Sequence, residues 1–70
     1  MENTMTTLKV IEILAESEKS WEDAAQTAIS KAAESLHDIK SIYIKELEAK
    51  VENHKIVSYR INGKVTFELD

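Results

Sequence analysis

The chain contains no cysteine, no proline and a single glycine in 70 residues. Without cysteine it can form neither disulfides nor a thiolate zinc site, two usual supports of very small folds. A chain of this length buries only about 60% of its unfolded surface and is marginal alone. Oligomerisation is the support that remains. One glycine cannot build a glycine-rich phosphate loop. No serine stands with a histidine and an acid in the arrangement of a hydrolytic triad, so the chain is not expected to be an enzyme. No apolar run approaches the roughly 20 residues of a membrane-spanning helix, and the N-terminus has no signal-peptide pattern. The expected compartment is the cytoplasm. Arginine is nearly absent: Arg60 stands alone, and the lysines are scattered. With nine basic and 13 acidic residues the formal net charge is -4, without the basic patch of a nucleic-acid binder.

What is present is apolar patterning. A hydrophobic content of 43% is too high for a disordered acidic tail. Met1 to Thr6 is polar and reads as a flexible N-terminus. Residues 7–70 then read as one domain. Thr7 to Leu14 is short and β-branched, and is expected to be a strand. Leu8, Val10 and Leu14 point one way, Ile11 and Ile13 the other. A strand apolar on both sides is covered on both sides. A single small domain rarely has two covering layers, which is a second pointer to a subunit interface.

Ala15 to Lys19 reads as a polar connection. Ser20-Trp21-Glu22-Asp23 resembles a capping box with Asp in place of the usual Glu or Gln. Trp21, Ala25, Ala28, Ile29, Ala32 and Leu36 recur at helical spacing, so a helix is predicted from Trp21 to about His37. Its stripe is mostly alanine, which lets it lie close to a sheet. Trp21 belongs to that stripe and reads as a packing residue. Ile39 to Val51 is predicted as a second strand. Strict alternation places Tyr43, Leu47, Ala49 and Val51 on one face. Ile42 and Ile44 then share the other with Glu46, Glu48 and Lys50. Glu52-Asn53-His54-Lys55 reads as a tight turn. Val57, Tyr59, Ile61, Val65, Phe67 and Leu69 alternate with polar residues in the last strand. Asn62-Gly63 is a strong hairpin signal inside that run. The alternation fits one long strand or two short ones equally. The element order is β-α-β-β, an α+β fold with one helix on a three-stranded antiparallel sheet.

Two candidate sites come from residue types alone. His37 and His54 have no metal-ligand spacing and do not read as ligands. Glu46 and Glu48 alternate on one face and would chelate a hard cation only with a symmetry mate. The plainer reading of the pair is a solvated edge beside lysines.

The helix opening Ser20-Trp21-Glu22-Asp23-Ala24 resembles the dodecin family. So do Ile39-Lys40 at the start of the second strand and the whole run from Lys55 to Leu69. The resemblance spans about Leu8 to Leu69. It implies a helix packed on a curved sheet, an unbroken last strand with Asn62-Gly63 inside it, and a hollow homododecamer. Gly63 would then mark a close backbone approach or a bend. The family resemblance also implies binding, storage or buffering of a small ligand. That ligand is a flavin such as riboflavin or FMN, stacked against tryptophans across a two-fold axis. The family's tryptophan position is Ser41 here, which has no π-face. Tyr43 lies two residues on, on the same face. The polar position after Tyr59 is kept as Arg60. Glu48 stands where flavin-binding members often carry a basic residue. The ligand-binding residues implied by resemblance are therefore Ser41, Tyr43, Glu48 and Arg60, with flavin affinity weakened. The alternative is a structural shell without flavin, taking ions or another small anion at its symmetry axes.

Overall fold

A computed structural model describes residues 6–69. The expected flexible tail therefore lies almost wholly outside the described residues. The elements are β1 (Leu8–Ser17), α1 (Trp21–Ala32), β2 (Ile39–Glu52) and β3 (Lys55–Glu68). They form one antiparallel sheet in the order β1-β3-β2, with β3 in the middle. The β-α-β-β order is as the sequence predicts.

β3 runs unbroken through Asn62-Gly63, which settles the hairpin question against a turn. Gly63 does not have a positive φ, the property a tight turn would require. Its role is contact: a Cβ there would stand 2.6 Å from the Tyr43 carbonyl oxygen. The hairpin turn is instead at Asn53 and His54, with φ of 51° and 65°. Both types tolerate that left-handed backbone better than most.

β1 extends to Ser17, three residues beyond the expected end, in register with β3 from Leu8↔Glu68 to Ser17↔Tyr59. The helix is shorter than expected and ends at Ala32, not His37. Beyond it the chain tightens, with the amides of Glu34 and Ser35 donating to the carbonyls of Lys31 and Ala32. These turns carry Leu36 on in near-helical phase, which is why the apolar repeat outlasts the helix. Asp38, at φ 50°, then swings the backbone into β2.

At the helix start Ser20 is extended and its Oγ accepts from the Asp23 amide at 2.9 Å. The reciprocal arm of a capping box is replaced. The Ser17 hydroxyl donates to Asp23 Oδ2 at 2.6 Å and accepts from the Lys19 amide at 2.9 Å. Shorter Asp reaches the end of β1 where Glu would reach back to the cap.

The phase of β2 differs from strict alternation. Its register against β3 slips between Ile39 and Ser41, between Ile44 and Glu46, and between Lys50 and Val51. The slip at Lys45 is decisive, because an extra residue exchanges the faces of everything after it. Ile42 and Ile44 pair with Val65 and Gly63, and Leu47 and Ala49 with Ile61 and Tyr59. These four therefore share the helix-covered side. Tyr43 joins Glu46 and Glu48 on the opposite side, contrary to the sequence reading.

Ala24, Ala28, Ile61, Val65 and Phe67 form the buried core among the described residues. Ala24 and Ala28 let α1 sit directly on the odd-numbered residues of β3. Only Ile61 and Val65 are large and fully buried. The chain measures 58 × 21 × 16 Å, with a radius of gyration of 14.8 Å. A compact domain of this length would have a radius of about 11 Å.

Candidate functional site

Among the described residues no element covers the side of the sheet away from α1. β1 supplies Leu8, Val10, Glu12, Leu14 and Glu16 to it. Leu8 and Val10 are each 51% exposed, Leu14 66% and Tyr43 64%. β3 adds Arg60, Asn62, Lys64 and Thr66, and β2 adds Ser41, Tyr43, Glu46 and Glu48 by register. All four residues named from the family resemblance lie on this one open face.

The face holds them as two groups. Glu48 is in register with Arg60, whereas Tyr43 faces Lys64 and Ser41 faces Thr66. Lys64 is four residues along β3 from Arg60, about 13 Å at the rise of an extended strand. The structure therefore joins Glu48 to Arg60 and sets Ser41 and Tyr43 apart from them.

Arg60 is the centre of a charged rung across all three strands. Its Nε donates to Glu16 Oε2 at 2.8 Å, and its Nη2 donates to the same oxygen. Its Nη1 donates to Glu48 Oε1 at 3.4 Å, a weaker contact. The hydrogen bond and charge of Glu16 push the guanidinium pKa up, with Glu48 adding to them and desolvation opposing. Arg60 therefore stays charged, with its donors turned toward carboxylates. Glu16 is the partner missed by the sequence reading, which ended β1 before it. The signal was available: Glu12, Leu14 and Glu16 continue the two-residue period of Leu8 and Val10.

Beside the rung lies a shallow groove of about 380 Å³, lined by Leu14, Glu46, Leu47, Glu48, Arg60 and Asn62. Asn62 Oδ1 is shielded there without a hydrogen-bond partner. On the other side of the sheet Trp21 fixes the backbone at this point. Its Nε1 donates to the Glu48 carbonyl at 3.0 Å. Its ring meets Tyr59 edge to face, with centroids 4.9 Å apart and planes at 76°. Trp21 is thus a strut between helix and sheet, and places Glu48 rather than touching anything on the open face.

Ser41 offers no π-face at the position where the resemblance puts a stacking platform, and Arg60 is already engaged by two acids. Among the described residues Tyr43 is the aromatic side chain that this face offers, at 64% exposure. Among the described residues no three His, Cys, Asp or Glu side chains converge on a metal site. Nor is any helix long and apolar enough to cross a membrane.

The described residues form a small α+β fold with a helix on one side of the sheet and an exposed, mixed apolar and charged face on the other. Residues 7–70 match the dodecin family profile, so this chain belongs to the dodecin family. It is 35% identical over 65 residues to the calcium dodecin of Mycobacterium tuberculosis, covering 93% of this chain and 92% of that one. The crystal structure of that protein, described as calcium chelating, superposes with a TM-score of 0.79 at 34% identity and 91% coverage of each chain. Dodecin from Streptomyces davaonensis superposes with a TM-score of 0.87 at 25% identity, covering 93% of this chain and 96% of that one.

Proposed function

We propose that the chain is one subunit of a homododecameric shell that stores or buffers a small ligand, a hard divalent cation of the calcium class. It acts as a binding protein with no catalytic step. The observation that carries this is the open face, where an exposed apolar stripe from β1 and the carboxylates of β2 lie on either side of β3. The apolar stripe calls for a second subunit. Glu46 and Glu48 present hard oxygen donors, which suit calcium. One chain alone does not gather enough of them, so each site draws on carboxylates of more than one subunit. The similarity to a calcium-chelating relative supports the same choice.

The test combines size-exclusion chromatography with light scattering and a terbium titration read by luminescence. The expected result is a mass near twelve chains and terbium bound in competition with calcium. Glu46→Gln should weaken that binding tenfold or more. A dodecamer that binds no terbium, or binds it without calcium competition, removes the cation from the proposal. A second reading keeps the family's flavin. Exposed Tyr43, on the same face as Ser41, is the observation that favours it. It predicts a yellow protein, and riboflavin bound more readily than FMN, because Glu46 and Glu48 oppose a phosphate.

A further inference from the structure

The Asn62-Gly63 pair has no part in the proposed function, yet it is the chemically weakest step of the chain. Asparagine amides are among the thermolabile groups of proteins. The route is attack by the backbone nitrogen of the next residue on the side-chain carbonyl carbon. Glycine hinders that attack least, because it has no Cβ. The other asparagines, Asn3 and Asn53, precede Thr4 and His54. Glycine is nonetheless required at 63, since a Cβ there would stand 2.6 Å from the Tyr43 carbonyl oxygen. The packing of β2 on β3 thus imposes a labile pair in the middle of the central strand.

We propose that Asn62-Gly63 is a spontaneous deamidation site that the sheet holds closed, and that it opens only when β3 leaves the sheet. The Gly63 nitrogen gives up its proton and bonds to Asn62 Cγ. The Cγ–Nδ2 bond breaks, and ammonia departs with that proton. Water then opens the cyclic imide at either carbonyl, leaving aspartate or isoaspartate at position 62. No oxidant or reductant takes part. In the folded chain ring closure is blocked twice. It needs the Gly63 nitrogen turned toward Cγ, whereas a strand backbone, with ψ of about +135°, turns it away. Both residues are also paired on both sides, Asn62 with Leu14 and Glu46, Gly63 with Ile13 and Ile44. The register with β1 is continuous through this step, so the bulge at Lys45 on the β2 side does not free it.

The products do not fit back. Aspartate puts a carboxylate opposite Glu46, where like charges repel. It also places charge where the Asn62 Oδ1 is shielded without a hydrogen-bond partner. Isoaspartate adds a carbon to the backbone and shifts Val65 and Phe67 out of phase with the core. Conversion therefore removes from the folded pool a chain that has stayed unfolded too long. This chemistry needs neither the shell nor the cation.

The protein is incubated at mildly alkaline pH in buffer and, in parallel, in urea that unfolds it. Peptide mass spectrometry reads the conversion of the Asn62 amide to acid, with Asn53 as the internal comparison. In urea Asn62 should convert well ahead of Asn53. In buffer its conversion should slow about 10³-fold or more, as the folded-to-unfolded ratio of small domains requires. A slowing of only about tenfold would mean that local opening suffices, and would overturn the closed site. So would conversion of Asn62 no faster than Asn53 in urea. Asn62→Gln should abolish the fast conversion in urea, a readout that needs no folded protein. Its persistence would place the chemistry elsewhere and overturn the assignment. Converted chains diluted out of urea should lack the circular dichroism that unconverted chains regain. Recovery of that signal would overturn the exclusion of the products.

Discussion

Replacing Gly63 with alanine tests the packing of the two long strands at its tightest point. Gly63 sits in the middle of β3, opposite Ile13 on one side and Ile44 on the other. An added Cβ would lie 2.6 Å from the Tyr43 carbonyl oxygen, closer than real Cβ atoms come. The obstacle is backbone inside a strand, so no side-chain rotation relieves it. The gain from stiffening the unfolded chain is about 0.4–1 kcal/mol in favour of alanine, since the native φ is one that alanine accepts. Overpacking costs about 1–3 kcal/mol, and a clash with immobile backbone belongs in the upper part of that range. The net expectation is a loss of about 1–2 kcal/mol. In a domain of this size that lowers Tm by roughly 5–15 °C. Thermal and urea unfolding at one fixed chain concentration measure it, because the proposed assembly would make the midpoint depend on concentration. Lys64→Ala, an exposed neighbour, should stay within about 0.5 kcal/mol of wild type. A Gly63→Ala midpoint equal to or above wild type would refute the reasoning, and would return Asn62-Gly63 to its role as a turn.

Other substitutions address the cap, the rung and the ligand face. Ser20→Ala removes the acceptor for the Asp23 amide and should cost about 1 kcal/mol, read from the urea midpoint. Arg60→Met leaves Glu16 and Glu48 facing each other without their shared cation. Its stability deficit at neutral pH should shrink as acid neutralises the two carboxylates, a recovery the wild type should not show. Arg60 itself adds no pH dependence near neutrality: its raised pKa gives stability that is complete below the usual arginine value and lost only above it. Ser41→Trp supplies the missing platform, and an aromatic pair is worth about 0.5–1.5 kcal/mol, so riboflavin should bind about 2- to 12-fold more tightly by fluorescence quenching. No gain would show that Ser41 is not the stacking position.

How much of this was legible follows from how each feature is encoded. β3 was plain, because from Tyr59 onward its apolar residues keep a strict period of two, although its register with β2 slips at Val57. The length of β1 and the identity of Glu16 were under-read, because a polar side chain at an in-phase position looks like the start of a loop. The helix was over-read, because Leu36 keeps helical phase through tightened turns. β2 was misphased because a bulge inserts a residue that strict alternation does not allow for. The spacing carries the trace, however: Ile42, Ile44, Leu47 and Ala49 are separated by two, three and two. That step of three is how one apolar face reads when a residue bulges between its halves. The ligand face was legible as a set of residues but not as two groups, since only the register shows that Arg60 meets Glu48 and lies far from Tyr43.

The bulge at Lys45 also determines what the open face can do. With unbroken alternation Ile42 and Ile44 would share that face with Glu46 and Glu48, and the β2 side would mix apolar and acidic groups along its length. The inserted residue moves both isoleucines under the helix. It leaves Ser41, Tyr43, Glu46 and Glu48 as one polar stripe, parallel to the apolar stripe of Leu8, Val10 and Leu14 on β1 and separated from it by β3. The two stripes suit different tasks. Leucine and valine at half exposure gain by meeting their own kind across a two-fold axis, where like patches face each other. Carboxylates lose if they are buried unpaired, so they belong beside that contact, where water or a bound cation can reach them. Arg60 stands between the stripes and ties one acid from each side, Glu16 and Glu48, into one ion-paired seam. Glu46 has no part in that seam, which makes it the carboxylate best placed to take a cation from solution.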